Sequence, residues 1–270
     1  MIKGHGDDIY QYEDIRMNFS SNVNQHVDHS ALKNHLMERF DVIANYPEPE
    51  AWSLEAMIAE RHGIDPRSVI VTNGATEAIY LVAQAFELNH ISLSPCFTEY
   101  ADAVEMFRRF TGRRYALWIC NPNNPMGNVF SAEHLLEQAK MYAMLVVDQS
   151  YEHYVDMPPL TPKQAVKARN IVQLHSFTKT YAVPGLRLGY IVATPRLTLR
   201  LRRFLRPWSV SALAVEAGKF LLAHDELRCQ PCLDEAQRLR RRLQQIDGIK
   251  VLPTRTNFMV ASIERATAAQ

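Results

Sequence analysis

Lys179 stands in the run Ser176-Phe177-Thr178-Lys179-Thr180-Tyr181-Ala182-Val183-Pro184-Gly185-Leu186-Arg187-Leu188-Gly189-Tyr190, with a hydroxyl shortly before it at Ser176 and a guanidinium after it at Arg187. A primary amine captures an aldehyde, and a hydroxyl beside a guanidinium suits a phosphate. A cofactor that carries both an aldehyde and a phosphate needs these three groups together. The plain alternative is a surface lysine ahead of an ordinary strand. Ser176 and Arg187 in step with the lysine favour the chemical reading.

Other segments carry groups that such a cofactor would use. Thr72-Asn73-Gly74-Ala75-Thr76-Glu77 joins an apolar stretch to a helical one. Gly74 allows close backbone approach, and the free amides at the helix start, Ala75 and Thr76, favour an anion. A junction of this kind is common in α/β proteins and is weak on its own. Asn121-Pro122-Asn123-Asn124-Pro125-Met126-Gly127 follows directly on another apolar stretch. It is either a turn-rich loop or a polar rim for a ligand. Asp148 closes the apolar run Met144-Leu145-Val146-Val147. A carboxylate at the carboxyl end of a parallel strand lies where α/β active sites form, whereas an N-cap is the ordinary use of such an Asp.

The elements around these residues must position them. Short apolar runs at 68–72, 91–94, 116–120, 144–148, 171–175 and 187–193 predict strands. Helical patterns cover 31–40, 52–62, 75–86, 98–108 and 131–142, with the two prolines of Asn45-Tyr46-Pro47-Glu48-Pro49-Glu50 fixing a loop. The alternation implies an α/β fold with a mostly parallel sheet covered on both sides. Residues 1–30 read as an N-terminal arm and 31–195 as a large domain. Residues 196–270 read as an interdomain helix region and the start of a smaller α+β domain, with helices at 196–224 and 226–246 and strands at 249–252 and 257–260. The arginines at 238 and 240–242 follow Asp234 and Glu235 and read as a solvated helix face.

The lysine run, the Asn-Pro loop and Asp148 together resemble the fold-type I pyridoxal-phosphate enzymes of the aminotransferase class I/II group. That resemblance implies a large cofactor-binding domain with a sheet of the seven-stranded type. It implies that Lys179 is the cofactor lysine and that Asp148 pairs with the pyridine nitrogen. Asn124 and Tyr151 would meet the ring oxygen, with Met126 in place of the usual Thr. Phe97, in Pro95-Cys96-Phe97-Thr98-Glu99-Tyr100, would stack on the ring, although a lone Phe would be read as core. Gly74, Ala75, Thr76, Ser176 and Arg187 would form the phosphate site, joined by Tyr46 from a neighbouring subunit of a homodimer. His5-Gly6, Phe19-Ser20-Ser21-Asn22-Val23-Asn24, Asn45-Tyr46-Pro47, Tyr181-Ala182-Val183-Pro184-Gly185 and Pro207-Trp208-Ser209-Val210-Ser211-Ala212-Leu213-Ala214 look most like a branch that decarboxylates a phosphorylated amino acid in cobalamin biosynthesis. A branch that transaminates a phosphorylated amino alcohol is the alternative. His5, Asn22 and Asn24 are placed as substrate contacts by that match.

Composition narrows the remaining classes. The chain has 270 residues, 47% hydrophobic and 22% charged, with 30 basic against 29 acidic residues. That is globular composition with no general attraction to nucleic acid or an anionic membrane. A polar start without a signal-peptide core and the lack of a spanning apolar run predict a cytoplasmic protein. Cys96, Cys120, Cys229 and Cys232 are then free thiols, and Cys229-Gln230-Pro231-Cys232 has no second ligand pair to make a metal site. Two departures from the family stand out. The interval from Phe97 to Asn121 is shorter than the family's, with Phe107-Arg108-Arg109-Phe110-Thr111-Gly112-Arg113-Arg114 reading as a join. The arginine for the substrate's α-carboxylate is expected in a later part of the small domain, and no residue here is assigned to it. The expectation is a sequence that omits parts of a fuller protein. A natural truncation would go instead with a non-catalytic protein of this fold that binds cofactor or a partner.

Overall fold

The computed structural model describes residues 9–11, 13–15, 18, 20–24, 27–107 and 114–264. Six strands form the central sheet: β1 (Val69–Thr72), β2 (Asn89–Ser92), β3 (Tyr115–Cys120), β4 (Met144–Asp148), β5 (Ile171–Ser176) and β6 (Gly189–Val192), in the order β1-β6-β5-β4-β3-β2. Strands β2 to β5 are parallel to one another, and β6 is antiparallel to both β5 and β1.

Among the described residues ten α-helices accompany the sheet: α1 (Ser30–Glu38), α2 (Trp52–His62), α3 (Gly74–Ala85), α4 (Glu99–Met106), α5 (Ala132–Met141), α6 (Pro162–Ala168), α7 (Phe177–Thr180), α8 (Pro195–Arg202), α9 (Ala212–Ala223) and α10 (Leu233–Leu243). Successive strand side chains point to opposite faces. Ala116, Trp118, Val146, Val172 and Leu174 meet α3, α4 and α8 on one face. Leu117, Ile119, Leu145, Val147 and Ile171 meet α5 and α6 on the other, where Val69, Val71 and Val192 meet α1, α2 and α9. Burial on both faces is why these strands read as unbroken apolar runs. A separate hairpin pairs β7 (Ile249–Val251) with β8 (Ala261–Ile263). Among the described residues no helix is long and apolar enough to cross a membrane.

Several expectations are corrected in detail. The sheet has six strands among the described residues where a seven-stranded type was expected. Strand β6 runs backwards because the link from β5 is only one turn of helix and the turn Pro184–Leu186. That link stays at the carboxyl edge, and a parallel return needs a crossover along the sheet. The helix expected over 196–224 is two helices. Pro207 has no amide hydrogen to give, and Trp208 is left-handed at φ +60 with its N–H donated to Pro49 O. The expected helix at 226–246 shortens to α10. Residues 257–260 are not a strand, because the Thr254 and Thr256 hydroxyls both donate to the Phe258 carbonyl, at 2.8 and 2.9 Å, and bend the chain there. Most of the proposed join, residues 108–113, lies outside the described residues.

Candidate active site

The carboxyl ends of β1, β3, β4 and β5 and the first residue of β6 meet at one edge of the sheet, the usual place for a ligand in an open α/β fold. A cavity of about 650 Å³ opens there. Lys179, Asp148, Asn124, Tyr151, Ser176, Arg187, Phe97, Ala75, Thr76 and Asn22 all line it, though they come from seven separate segments.

Asp148 sits at the end of β4 with its side chain almost wholly buried. Oδ1 accepts from the Ser150 amide at 2.9 Å and the Ser150 hydroxyl at 2.6 Å, and Oδ2 accepts from the Tyr100 hydroxyl at 2.6 Å. Burial, helped by the Asp148 charge, pushes the Tyr100 phenol well above its ordinary range, so it stays a donor. Beside this carboxylate, Asn124 Nδ2 donates to the Tyr151 hydroxyl at 3.2 Å. The Tyr151 phenol is also raised, first by burial. Lys179 Nζ lies 5.8 Å from the centre of the Tyr151 ring. The backbone that carries Lys179 is tied down from outside, since the Tyr154 hydroxyl lies 3.3 Å from the Lys179 carbonyl and 2.9 Å from that of Asn22.

The other end of the cavity is built for an anion. Ser176 caps α7 by accepting the Thr178 amide, and Arg187, left-handed at φ +54, donates through Nη1 to Pro184 O at 3.1 Å. Gly74, at φ +76, opens α3 where a Cβ would stand 2.5 Å from Arg187 Nη2. Gly189 is needed for a different reason: a Cβ there would lie 2.8 Å from Ala75 N, Gly74 C and His175 O. Two glycines therefore bring the α3 amides, the β6 start and the Arg187 guanidinium into one cradle. With an amine, a buried carboxylate and paired Asn and Tyr donors opposite, the donor set fits a flat, phosphate-bearing pyridine aldehyde.

Some expected residues lie elsewhere. Gly74 stands behind Arg187 and does not line the cavity. Asn24 is described but is not in its wall, and His5 lies outside the described residues. Tyr46 is 85% exposed, with its ring centre 5.4 Å from that of Trp208. The cavity also holds residues that sequence reasoning missed. Tyr100 follows Phe97 at helical spacing, a signal that could have found it. Cys120 precedes the Asn-Pro loop. Phe258 packs edge-on against Tyr151 at 5.0 Å, from a segment whose sequence gives no sign of it. The turn that delivers Phe258 is latched to the Asn-Pro loop by Arg255 N donating to Gly127 O at 3.0 Å.

Residues 97–270 match the family model of the aminotransferases of class I and II. The chain is similar to L-threonine-O-3-phosphate decarboxylase from Porphyromonas gingivalis, with 33% identity and a TM-score of 0.85 over 93% of this chain and 87% of that one. It is 28% identical to the threonine-phosphate decarboxylase of Salmonella typhimurium in an alignment 285 positions long that covers 93% of this chain and 78% of the relative. Histidinol-phosphate aminotransferase from Sinorhizobium meliloti, solved with pyridoxal-5'-phosphate, shares the fold at a TM-score of 0.74 and 18% identity, over 89% of this chain and 74% of that one.

Proposed function

The chain belongs to the aminotransferase class I and II family, with the fold-type I architecture of pyridoxal-phosphate enzymes, and on that premise we propose that it is a pyridoxal-phosphate-dependent decarboxylase of a phosphorylated amino acid. The observation that carries this reading is the convergence of Lys179, Asp148, Asn124 and Arg187 on one cavity. The similarity to two threonine-phosphate decarboxylases supports the substrate class.

Bound pyridoxal phosphate supplies an aldehyde that takes up amines and an electron-poor ring that spreads negative charge from the substrate α-carbon. Ser176, Arg187 and the amides of Ala75 and Thr76 hold its phosphate, and Gly74 leaves room for the guanidinium. Asp148 holds a proton at the pyridine nitrogen, with Ser150 and Tyr100 keeping the carboxylate oriented. Asn124 and Tyr151 donate to the ring oxygen, and Phe97 covers the ring face. Lys179 would hold the cofactor through Nζ, and its amine would give or take the proton at the substrate α-carbon. How the chain grips the substrate's α-carboxylate and α-hydrogen would decide between loss of CO₂ and transamination.

The active form is a homodimer in this reading. Tyr46, Trp208, Phe40, Ile43 and Trp52 are all exposed, and the adjoining rings of Tyr46 and Trp208 support burial against a second copy. Tyr46 then reaches the partner's phosphate site, and Asn22, which lines the cavity, contacts substrate. The test is a pair of assays on protein reconstituted with cofactor. L-threonine phosphate alone should release CO₂. Glutamate from histidinol phosphate and 2-oxoglutarate, without CO₂ in the first assay, would establish the aminotransferase alternative that other relatives suggest. Lys179→Ala should abolish turnover and the borohydride-trapped cofactor peptide while leaving the fold intact. Normal turnover in that variant would sink the reading. A chain that binds cofactor but turns over neither substrate would point to the non-catalytic alternative.

A further inference from the structure

A second cavity, about 380 Å³, lies on the opposite face of α7. Phe177, Thr180 and Tyr181 line it, while Thr178 and Lys179 face the first cavity. Its wall carries three permanent cations, Arg61, Lys163 and Arg228, and one carboxylate, Glu152. Arg61 and Arg228 share Asp225. Glu152 is already satisfied, by His175 Nδ1 at 2.9 Å and Gln149 Nε2 at 3.2 Å.

Two buried polar atoms of this wall have no hydrogen-bond partner among the described residues: His175 Nε2 and Arg228 Nε. His175 is only 1% exposed, sandwiched flat against Tyr190 at 4.5 Å. An ionised carboxylate accepts only, so Nδ1–H is the donor to Glu152 and Nε2 is the ring's unmatched atom. Arg Nε is a donor only. Buried polar groups of this kind are normally paired, and an unpaired one is costly. The histidines do not make a metal site: among the described residues no group of three or more His, Cys, Asp or Glu is placed to hold an ion.

We propose that this cavity is a second binding site, for a small phosphate-bearing anion. The chemistry of the two orphaned atoms selects the ligand. A phosphate offers acceptor oxygens to Arg228 Nε and Lys163. It also matches His175 Nε2 in either state of the ring, offering a P–O–H to a lone pair there or an anionic oxygen to an N–H. A carboxylate ion offers acceptors alone. The volume exceeds a bare phosphate, so a phosphate ester fits as well, with its organic part along Tyr181 and Pro159. This site is separate from the proposed reaction and does not depend on it.

The test is calorimetric titration of the full chain, loaded with pyridoxal phosphate, using inorganic phosphate, phenyl phosphate and citrate in turn. Inorganic phosphate or phenyl phosphate binds. The affinity falls about tenfold or more in Lys163→Gln and in Arg228→Gln, the scale of one lost charge-assisted contact. Arg187→Ala, which cripples the anion end of the first cavity, leaves this binding in place. Tighter binding of inorganic phosphate identifies the free ion as the ligand, and tighter binding of phenyl phosphate identifies an ester. Lys163 lies at the cavity mouth on α6, so Lys163→Gln remains informative if Arg228→Gln does not fold. The proposal is overturned if neither phosphate binds at millimolar concentration, if citrate binds as well as phosphate, or if binding is lost in Arg187→Ala and kept in Lys163→Gln.

Discussion

Gly74→Ala separates two things the glycine does. At φ +76 any side chain is strained, and an alanine there costs about 1–2 kcal/mol of stability. The new methyl would also stand 2.5 Å from Arg187 Nη2 and 3.1 Å from Cζ. Ordinary contact needs roughly another ångström. The guanidinium is the far end of a flexible chain, so it retreats and the clash adds little to the stability loss. What it loses is its place at the anion. A hydrogen bond to a charged group contributes about 1.5–3 kcal/mol, so affinity for pyridoxal phosphate should fall about 10- to 100-fold. Equilibrium dialysis of the apo protein against pyridoxal phosphate and against unphosphorylated pyridoxal reads this directly. Only the phosphorylated compound should weaken. In an Arg187→Ala background the same substitution should cost no further affinity, because the group it displaces is already gone. Equal weakening of both compounds, or an undiminished effect in the Arg187→Ala background, would refute the assignment of Arg187 to the phosphate.

Two further outcomes are expected. Burial alone would raise the Glu152 carboxyl, but the charge and hydrogen bond of His175, with His153 and His62 behind it, outweigh burial and bring it from 4.5 down to about 2. A depressed carboxyl stabilises the fold above pH 4.5, and that contribution disappears as pH falls through 2, on the order of 3 kcal/mol in all. Urea unfolding across that window should therefore show a steeper acid loss in the wild type than in Glu152→Gln, and parallel curves would count against the pair. Tyr100→Phe leaves Asp148 Oδ2 without its donor in a buried site, so thermal unfolding of the apo protein should show a loss of about 1–3 kcal/mol. An unchanged melting temperature would mean that the hydroxyl does not support the carboxylate.

Much of this molecule was legible in its sequence, because the signals are local. The apolar runs of β3, β4 and β5 are buried on both faces and stand out at once. The lysine run, the Asn-Pro loop and Asp148 are contiguous motifs at strand ends. Helix α6 was legible and overlooked: Thr161 and Gln164 form a capping box, with Pro162 at the first helical turn. The direction of β6 was not legible, since it depends on how far α7 and the following turn travel. Nor was Phe258, which reaches Tyr151 only because two threonine hydroxyls bend the chain and Gly127 leaves them room. The rear cavity was hidden for a similar reason. His62, Glu152, His175 and Arg228 are scattered along the sequence, on α2, β5 and two turns, and only the tertiary fold gathers them.

The position of β6 between β1 and β5 also sets a timetable for the ribosome. Among the described residues the strand partner of β1 is β6 alone, which is translated roughly 120 residues later, on the order of 6–24 s at common elongation rates. Through that interval Val69, Ile70 and Val71 emerge without a strand partner, while β3 and β4 become able to pair almost as soon as they are made. A nascent chain stalled before Gly189 therefore presents an apolar strand that nothing else in the sheet can take, the kind of segment that holding chaperones bind and that aggregates without them.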